Sequence, residues 1–122
     1  MKAAGTQPLT SFGAVFDPFC NPSPPPLMFI ILLRFSLRKS DAPTFMDAHK
    51  QWLKRGFDDG IFQLAGSLEP GQGGGILAHR CTLAQLQQRV NEDPFVEQRV
   101  VSAEIIELDP GMAVPQLQFL VS

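Results

Sequence analysis

The chain has 122 residues and a formal net charge of -2, from ten Lys and Arg against twelve Asp and Glu. That length is enough for one core burying roughly two-thirds of the surface the unfolded chain exposes. The basic residues are scattered apart from Arg34, Arg38 and Lys39, so no basic stripe exists to neutralise phosphates and nucleic acid is not expected as a partner.

Cys20 and Cys81 lie far apart and lack the clustered Cys/His spacing of tetrahedral zinc sites, so no metal and a reduced, cytoplasmic setting are expected. The longest apolar run, Met28–Leu33, ends at Arg34 and falls far short of the ~20 residues that cross a bilayer, so no membrane partner is expected either. Pro8, Asp17 and Pro18 interrupt any apolar stretch that could act as a signal peptide.

Residues 1–27 hold no persistent periodicity and end in Asn21-Pro-Ser-Pro-Pro-Pro26, which favours extended polyproline backbone and predicts a flexible leader. Met28 stands where ordered patterning begins, which makes residues 1–27 readable as an upstream extension of the reading frame; residues 28–122 are expected to form the domain. Met28-Phe-Ile-Ile-Leu-Leu-Arg-Phe35 has strand length and β-branched, aromatic composition, which predicts a central strand buried on both faces. Phe29, Ile31 and Leu33 are assigned to one side, and Ile30, Leu32 and Phe35 nearly all to the other.

Asp41-Ala-Pro43 offers an acidic cap and a first-turn proline for a helix that ends at Gly60. Ile61–Leu68 predicts a second strand, Pro70–Gly75 a turn, and Ile76–Arg80 the other arm of a hairpin. Thr82 caps a helix with Leu83, Leu86 and Val90 on one face, and Asp93-Pro94 starts a further helical turn. Val100–Leu108 is the last clear strand, and Gln116–Val121 is expected to add a short edge strand. The order β-α-β-β-α-β predicts an α+β, ferredoxin-like antiparallel sheet with both helices on one face. Its second apolar face needs cover, which predicts a homodimer with the two sheets face to face, the dimeric α/β barrel arrangement.

One polar residue interrupts the first helix's apolar stripe. With Phe45 at the origin and ~100° per residue, Trp52 falls near ~340°, Gly56 near ~20°, His49 near ~40°, Leu53 near ~80° and Phe57 near ~120°. An imidazole facing a sheet needs hydrogen-bond partners, because each unsatisfied buried group costs about 1–3 kcal/mol. A core histidine bonded to a backbone carbonyl meets that need. A carboxylate neighbour would instead make His49 a general acid or base. Asp93 is the carboxylate to pair with it, although capping alone explains Asp-Pro at a helix start. His79, Ser67 and Cys81 are weaker candidates, each explicable as a strand or turn residue. The triglycine Gly73–Gly75 lacks the lysine and hydroxyl of a phosphate loop, and no cofactor motif is present.

Together these motifs resemble the YciI-like (YCII-related) family. They are an apolar first strand, Ala48-His49-Lys-Gln-Trp52-Leu53 on a helix, a strand closing on Ala65-Gly66, Gly74-Gly75-Ile-Leu-Ala, and Glu92-Asp93-Pro94-Phe95-Val96 after the second helix. The resemblance runs from Met28 to about Leu108. It implies the same dimeric α/β barrel and a cleft in which His49 and Asp93 act as a catalytic pair, with Gly66, Ser67 and Trp52 as substrate-binding residues. Where the family often has Gly-Pro, this chain has Gly66-Ser67. The function that follows is a lyase- or hydrolase-type enzyme without a cofactor, acting on a small organic molecule. The competing reading is a non-catalytic ligand-binding or accessory module of the same fold.

Overall fold

In the computed structural model the described residues are 8–10, 16–19 and 28–121. Strand β1 (Pro8–Thr10) pairs antiparallel with β2 (Phe16–Phe19), in a stretch where no strand was expected. Both strands of so small a sheet are edges, so Pro8 and Pro18 interrupt no inner ladder. The expected flexibility of the leader otherwise lies outside the described residues.

The domain itself follows the expected order. Strand β3 (Met28–Phe35) leads into helix α1 (Ala42–Asp58), then the hairpin of β4 (Phe62–Leu68) and β5 (Gly73–His79). Helices α2 (Leu83–Asn91) and α3 (Pro94–Glu97) then precede β6 (Val101–Leu108). The sheet order is β4-β5-β3-β6 with every neighbouring pair antiparallel, which is the ferredoxin-like arrangement. β3 is therefore central, as its continuous apolar run required.

Four local expectations are corrected. Asp41 stands at the N-cap of α1 as expected, but its side chain makes no cap hydrogen bond; a 3-10 turn over Lys39–Asp41 precedes the helix and Asp41 accepts from Arg38 Nε at 3.1 Å. The triglycine belongs to strand β5 rather than to the turn, because Gly73 and Gly74 pair with Arg34 and Leu33. At Gly73, with φ of +133°, a Cβ would collide with the Leu33 carbonyl, so only glycine lets the strand start there. Pro115–Leu120 forms a 3-10 turn, not an edge strand; Pro115 at its start favours a turn and offers no N–H to a sheet. Phe35 lies on the face of Phe29 and packs its ring 6.4 Å from Phe95, as strict strand alternation demands.

The core fills the space between the helices and one sheet face. Phe29, Ile31 and Leu33 are buried there with Trp52, Phe62, Ile76, Leu86, Val90 and Phe95. Trp52 meets Phe62 edge-on at 5.1 Å, and its Nε1–H donates to the Arg89 carbonyl at 2.9 Å, so the indole is buried without an unmatched donor. A Cβ at Gly56 would run into the Phe62 ring, which is why α1 approaches β4 so closely at that point. Thr82 and Gln85 close a capping box at the start of α2. Gly60, with φ of +75°, carries the chain out of α1.

Candidate active site

His49 and Asp93 are 44 residues apart in sequence and are brought together where α1 crosses the short helix α3. Asp93 is the N-cap of α3, its Oδ1 accepting the Phe95 N–H at 3.0 Å. The same Oδ1 stands 2.8 Å from His49 Nδ1. Capping and dyad formation are thus not alternatives, because one oxygen serves both. The cap fixes the carboxylate, and the carboxylate fixes the imidazole with Nδ1–H as the donor.

Asp93 is fully buried at 0% exposure, and its Oδ2 has no hydrogen-bond partner among the described residues. The carboxylate is therefore matched through Oδ1 alone, by the Phe95 N–H and the imidazole together. His49 stacks on Phe95 with 4.2 Å between ring centroids and 8° between planes, and Trp52 stands behind it at 5.7 Å. Held on one edge by a carboxylate and on one face by a phenyl ring, the imidazole has little rotational freedom. Its side chain keeps 13% exposure, and Nε2, opposite the bonded nitrogen, is the atom it offers outward.

Outward is a cleft of about 500 Å³ between α1 and the sheet. Leu33, Phe35, Met46, Leu53, Ile76 and Phe95 form apolar walls, and Gly66 and Gly73–Gly75 a floor with few side chains. His49, Lys50, Ser67 and Glu69 supply the polar side chains. This is the usual make-up of a small-molecule pocket, apolar with a few convergent polar groups. Lys39 Nζ donates to the Gly71 carbonyl at 3.0 Å and lies 5.2 Å over the Phe35 ring, tying the β4–β5 turn to the end of the cleft.

Of the residues expected at the site, His49, Gly66 and Ser67 line the cleft, and Asp93 stands directly behind His49. Trp52 does not reach it; the indole is 1% exposed and belongs to the core. His79 and Cys81 lie away from the cleft. Burial and the neighbouring Arg80 hold the His79 imidazolium below its ordinary range. Burial pushes the Cys81 thiol up, against a smaller opposing effect of Arg89, which leaves little thiolate at neutral pH. Lys50, Glu69 and the stacking role of Phe95 were missed. Phe95 stood in the Asp93-Pro94-Phe95 motif, but its stacking on His49 depends on how α1 packs against α3.

No protein-family model and no curated protein matches the chain. Among the solved structures that share its fold are the following two. One is 5-chloro-2-hydroxyhydroquinone dehydrochlorinase (TftG) from Burkholderia phenoliruptrix AC1100 in complex with 2,5-dihydroxybenzoquinone. It is 14% identical with a TM-score of 0.59, over 69% of this chain and 95% of that one. The other is MtbAldR, 12% identical with a TM-score of 0.51, over 73% of this chain and 57% of that one. The chain thus spans little more than half of MtbAldR. At these identities the likeness establishes the α+β fold, compatible with the ferredoxin-like and dimeric α/β barrel arrangement, and no more.

Proposed function

We propose that the chain is a YciI-like, cofactor-independent enzyme of the lyase or hydrolase type, working on a small cyclic organic molecule with His49 as general base. The observation that carries this reading is the 2.8 Å contact between His49 Nδ1 and Asp93 Oδ1 on the wall of an apolar cleft. With Nδ1–H donated to Asp93, the lone pair of the neutral ring lies on Nε2. That atom would take a proton from a C–H or O–H of the bound molecule. Asp93 would keep the ring oriented and stabilise the imidazolium that forms, and the proton would then pass to the leaving group or to water. Two further features support the reading. The dyad-bearing segments are those that resemble the YciI-like family, and one structural neighbour is a dehydrochlorinase.

Among the described residues no helix is long and apolar enough to cross a membrane; a cytoplasmic homodimer joined through the open sheet faces completes the proposal. Its central test uses 2,5-dihydroxybenzoquinone as probe. Binding by the wild-type chain, with chemical-shift changes at His49, Ser67 and Gly74, is expected. Nitrogen-15 spectra of the histidine ring should give an Nδ1–H tautomer that Asp93→Ala, which removes the acceptor, shifts toward Nε2–H. A ring already in the Nε2–H tautomer would sink the dyad. If the tautomer is as expected but His49→Ala leaves affinity for the probe and every assayed turnover unchanged, the non-catalytic binding module is the better reading.

A further inference from the structure

The sheet face turned away from the helices is apolar and continues into the C-terminal segment. Leu64, Ile106 and Leu108 on that face are 61%, 39% and 44% exposed. After β6, Met112, Val114, Leu117 and Phe119 are 94%, 57%, 43% and 55% exposed. Four large apolar side chains within so short a stretch are a patch, not scattered exposure. The segment is also anchored. Burial of Leu120 holds it to the domain, and internal bonds from the Leu117 N–H to the Val114 carbonyl at 2.9 Å and from the Val121 N–H to the Gln118 carbonyl at 3.0 Å stiffen it. Phe119 meets His79 edge-on at 5.3 Å. His79 is in register with Met28 and, two residues along β5, shares the face of Leu77, so the anchor lies at the margin of the open face.

We infer that Met112–Phe119 is an arm of the interface with a second copy of this chain, widening the contact made by the sheet face. The inference rests on the homodimer proposed above. Area favours this occupant. Four strands at ~4.8 Å spacing and about seven residues at ~3.3 Å rise project to roughly 450 Å². Even with side-chain relief that is modest against the ~800 Å² per partner of a stable interface. The arm enlarges the patch with rigidly presented apolar groups. Charge agrees, because the face carries one Arg34 and one Glu104, paired at 2.7 Å, and so presents no net charge to a second copy across a two-fold axis.

Sedimentation equilibrium of the full chain tests the arm. The wild type should be dimeric at micromolar concentration. The pair Met112→Glu and Leu117→Glu should raise the dimer Kd at least ~10-fold, about 1.4 kcal/mol, while the far-ultraviolet circular dichroism stays the same. Leu64→Glu, on the sheet face alone, is the reference and should also weaken the dimer. If Leu64→Glu dissociates the dimer and the arm pair leaves Kd unchanged, the arm is wrong and the dimer stands. A monomeric wild type overturns both. A dimer that tightens when residues 1–27 are removed would make the chain's own leader the occupant of the patch and overturn the arm.

Discussion

The two faces of one sheet have been put to different uses, and β3 displays the contrast residue by residue. Phe29, Ile31 and Leu33, at 1%, 0% and 2% exposure, face the helices, whereas Ile30 and Leu32 between them are only half-buried. The chemistry of the two sets is the same. What differs is what lies above them. On the helix side a tryptophan, two phenylalanines and a buried carboxylate have been gathered, and a cleft remains where glycines replace side chains. On the other side the apolar surface is left open, edged by an arm that is itself apolar. Polar machinery is therefore confined to the face the chain can seal by itself, where a carboxylate such as Asp93 can be held away from water.

The contrast is broken most severely in the core. Ile31→Ala should destabilise the chain by about 2–5 kcal/mol, since it removes packed methyl groups and leaves a cavity. Ile30→Ala should cost under about 1 kcal/mol of monomer stability, and more only as protein concentration rises. Denaturant unfolding of the two variants at low and high concentration measures both effects. Equal losses at every concentration would mean that the faces do not differ as described.

Asp93→Ala comes next. It removes the cap of α3 and the partner of His49 Nδ1 together, for an expected loss of about 2–3 kcal/mol in thermal or urea unfolding. Asp93→Asn, whose Oδ1 can still accept from both the Phe95 N–H and His49 Nδ1–H, should recover much of that stability but not turnover, because the imidazolium loses its counter-charge. Recovery of both would reduce Asp93 to a cap.

Gly74→Val leaves the dyad in place and tests the cleft. A Cβ at Gly74 would stand 3.3 Å from the Gly66 carbonyl oxygen, so the added side chain must project into the cleft. Affinity for 2,5-dihydroxybenzoquinone, read by calorimetry, should fall at least ~10-fold, equivalent to about 1.4 kcal/mol, while Gly66→Ala, with nothing within 4 Å of the new Cβ, should change it much less.

The smallest effect is a pH dependence at the margin of the open face. Burial, then the charge of Arg80, holds the folded-state pKa of His79 below 6.5. The unfolded chain therefore binds this proton more readily than the folded one. Stability is unaffected by His79 well above that pH and declines as pH falls through and below it. His79→Gln should flatten that part of the stability profile, with the remaining acid loss unchanged.

How much of this was legible in the sequence differs between fold and site. The element order followed from local signals, namely the Met28–Phe35 run, the Thr82 and Asp93 caps, and the helical spacing that put His49 beside Trp52 on an apolar stripe. Periodicity and capping are written within a few neighbouring residues, so one chain suffices to read them. The errors arose where local signals conflict with pairing. Gly73–Gly75 has turn composition but is held in the sheet by Leu33 and Arg34, and Gln116–Val121 has strand composition but follows Pro115, which starts a 3-10 turn and leaves the free edges of β4 and β6 unpaired by it. Asp93 was ambiguous for a related reason, since cap and catalytic partner call for the same residue type. Sequence determined that a histidine faces the sheet and that an aspartate begins a helix. Only the tertiary structure could decide that one carboxylate oxygen meets both a backbone N–H and the imidazole, and that Trp52 stays in the core while Lys50 and Glu69 reach the cleft. Distances across 44 residues are fixed by how helices pack on a sheet, and no local pattern encodes them.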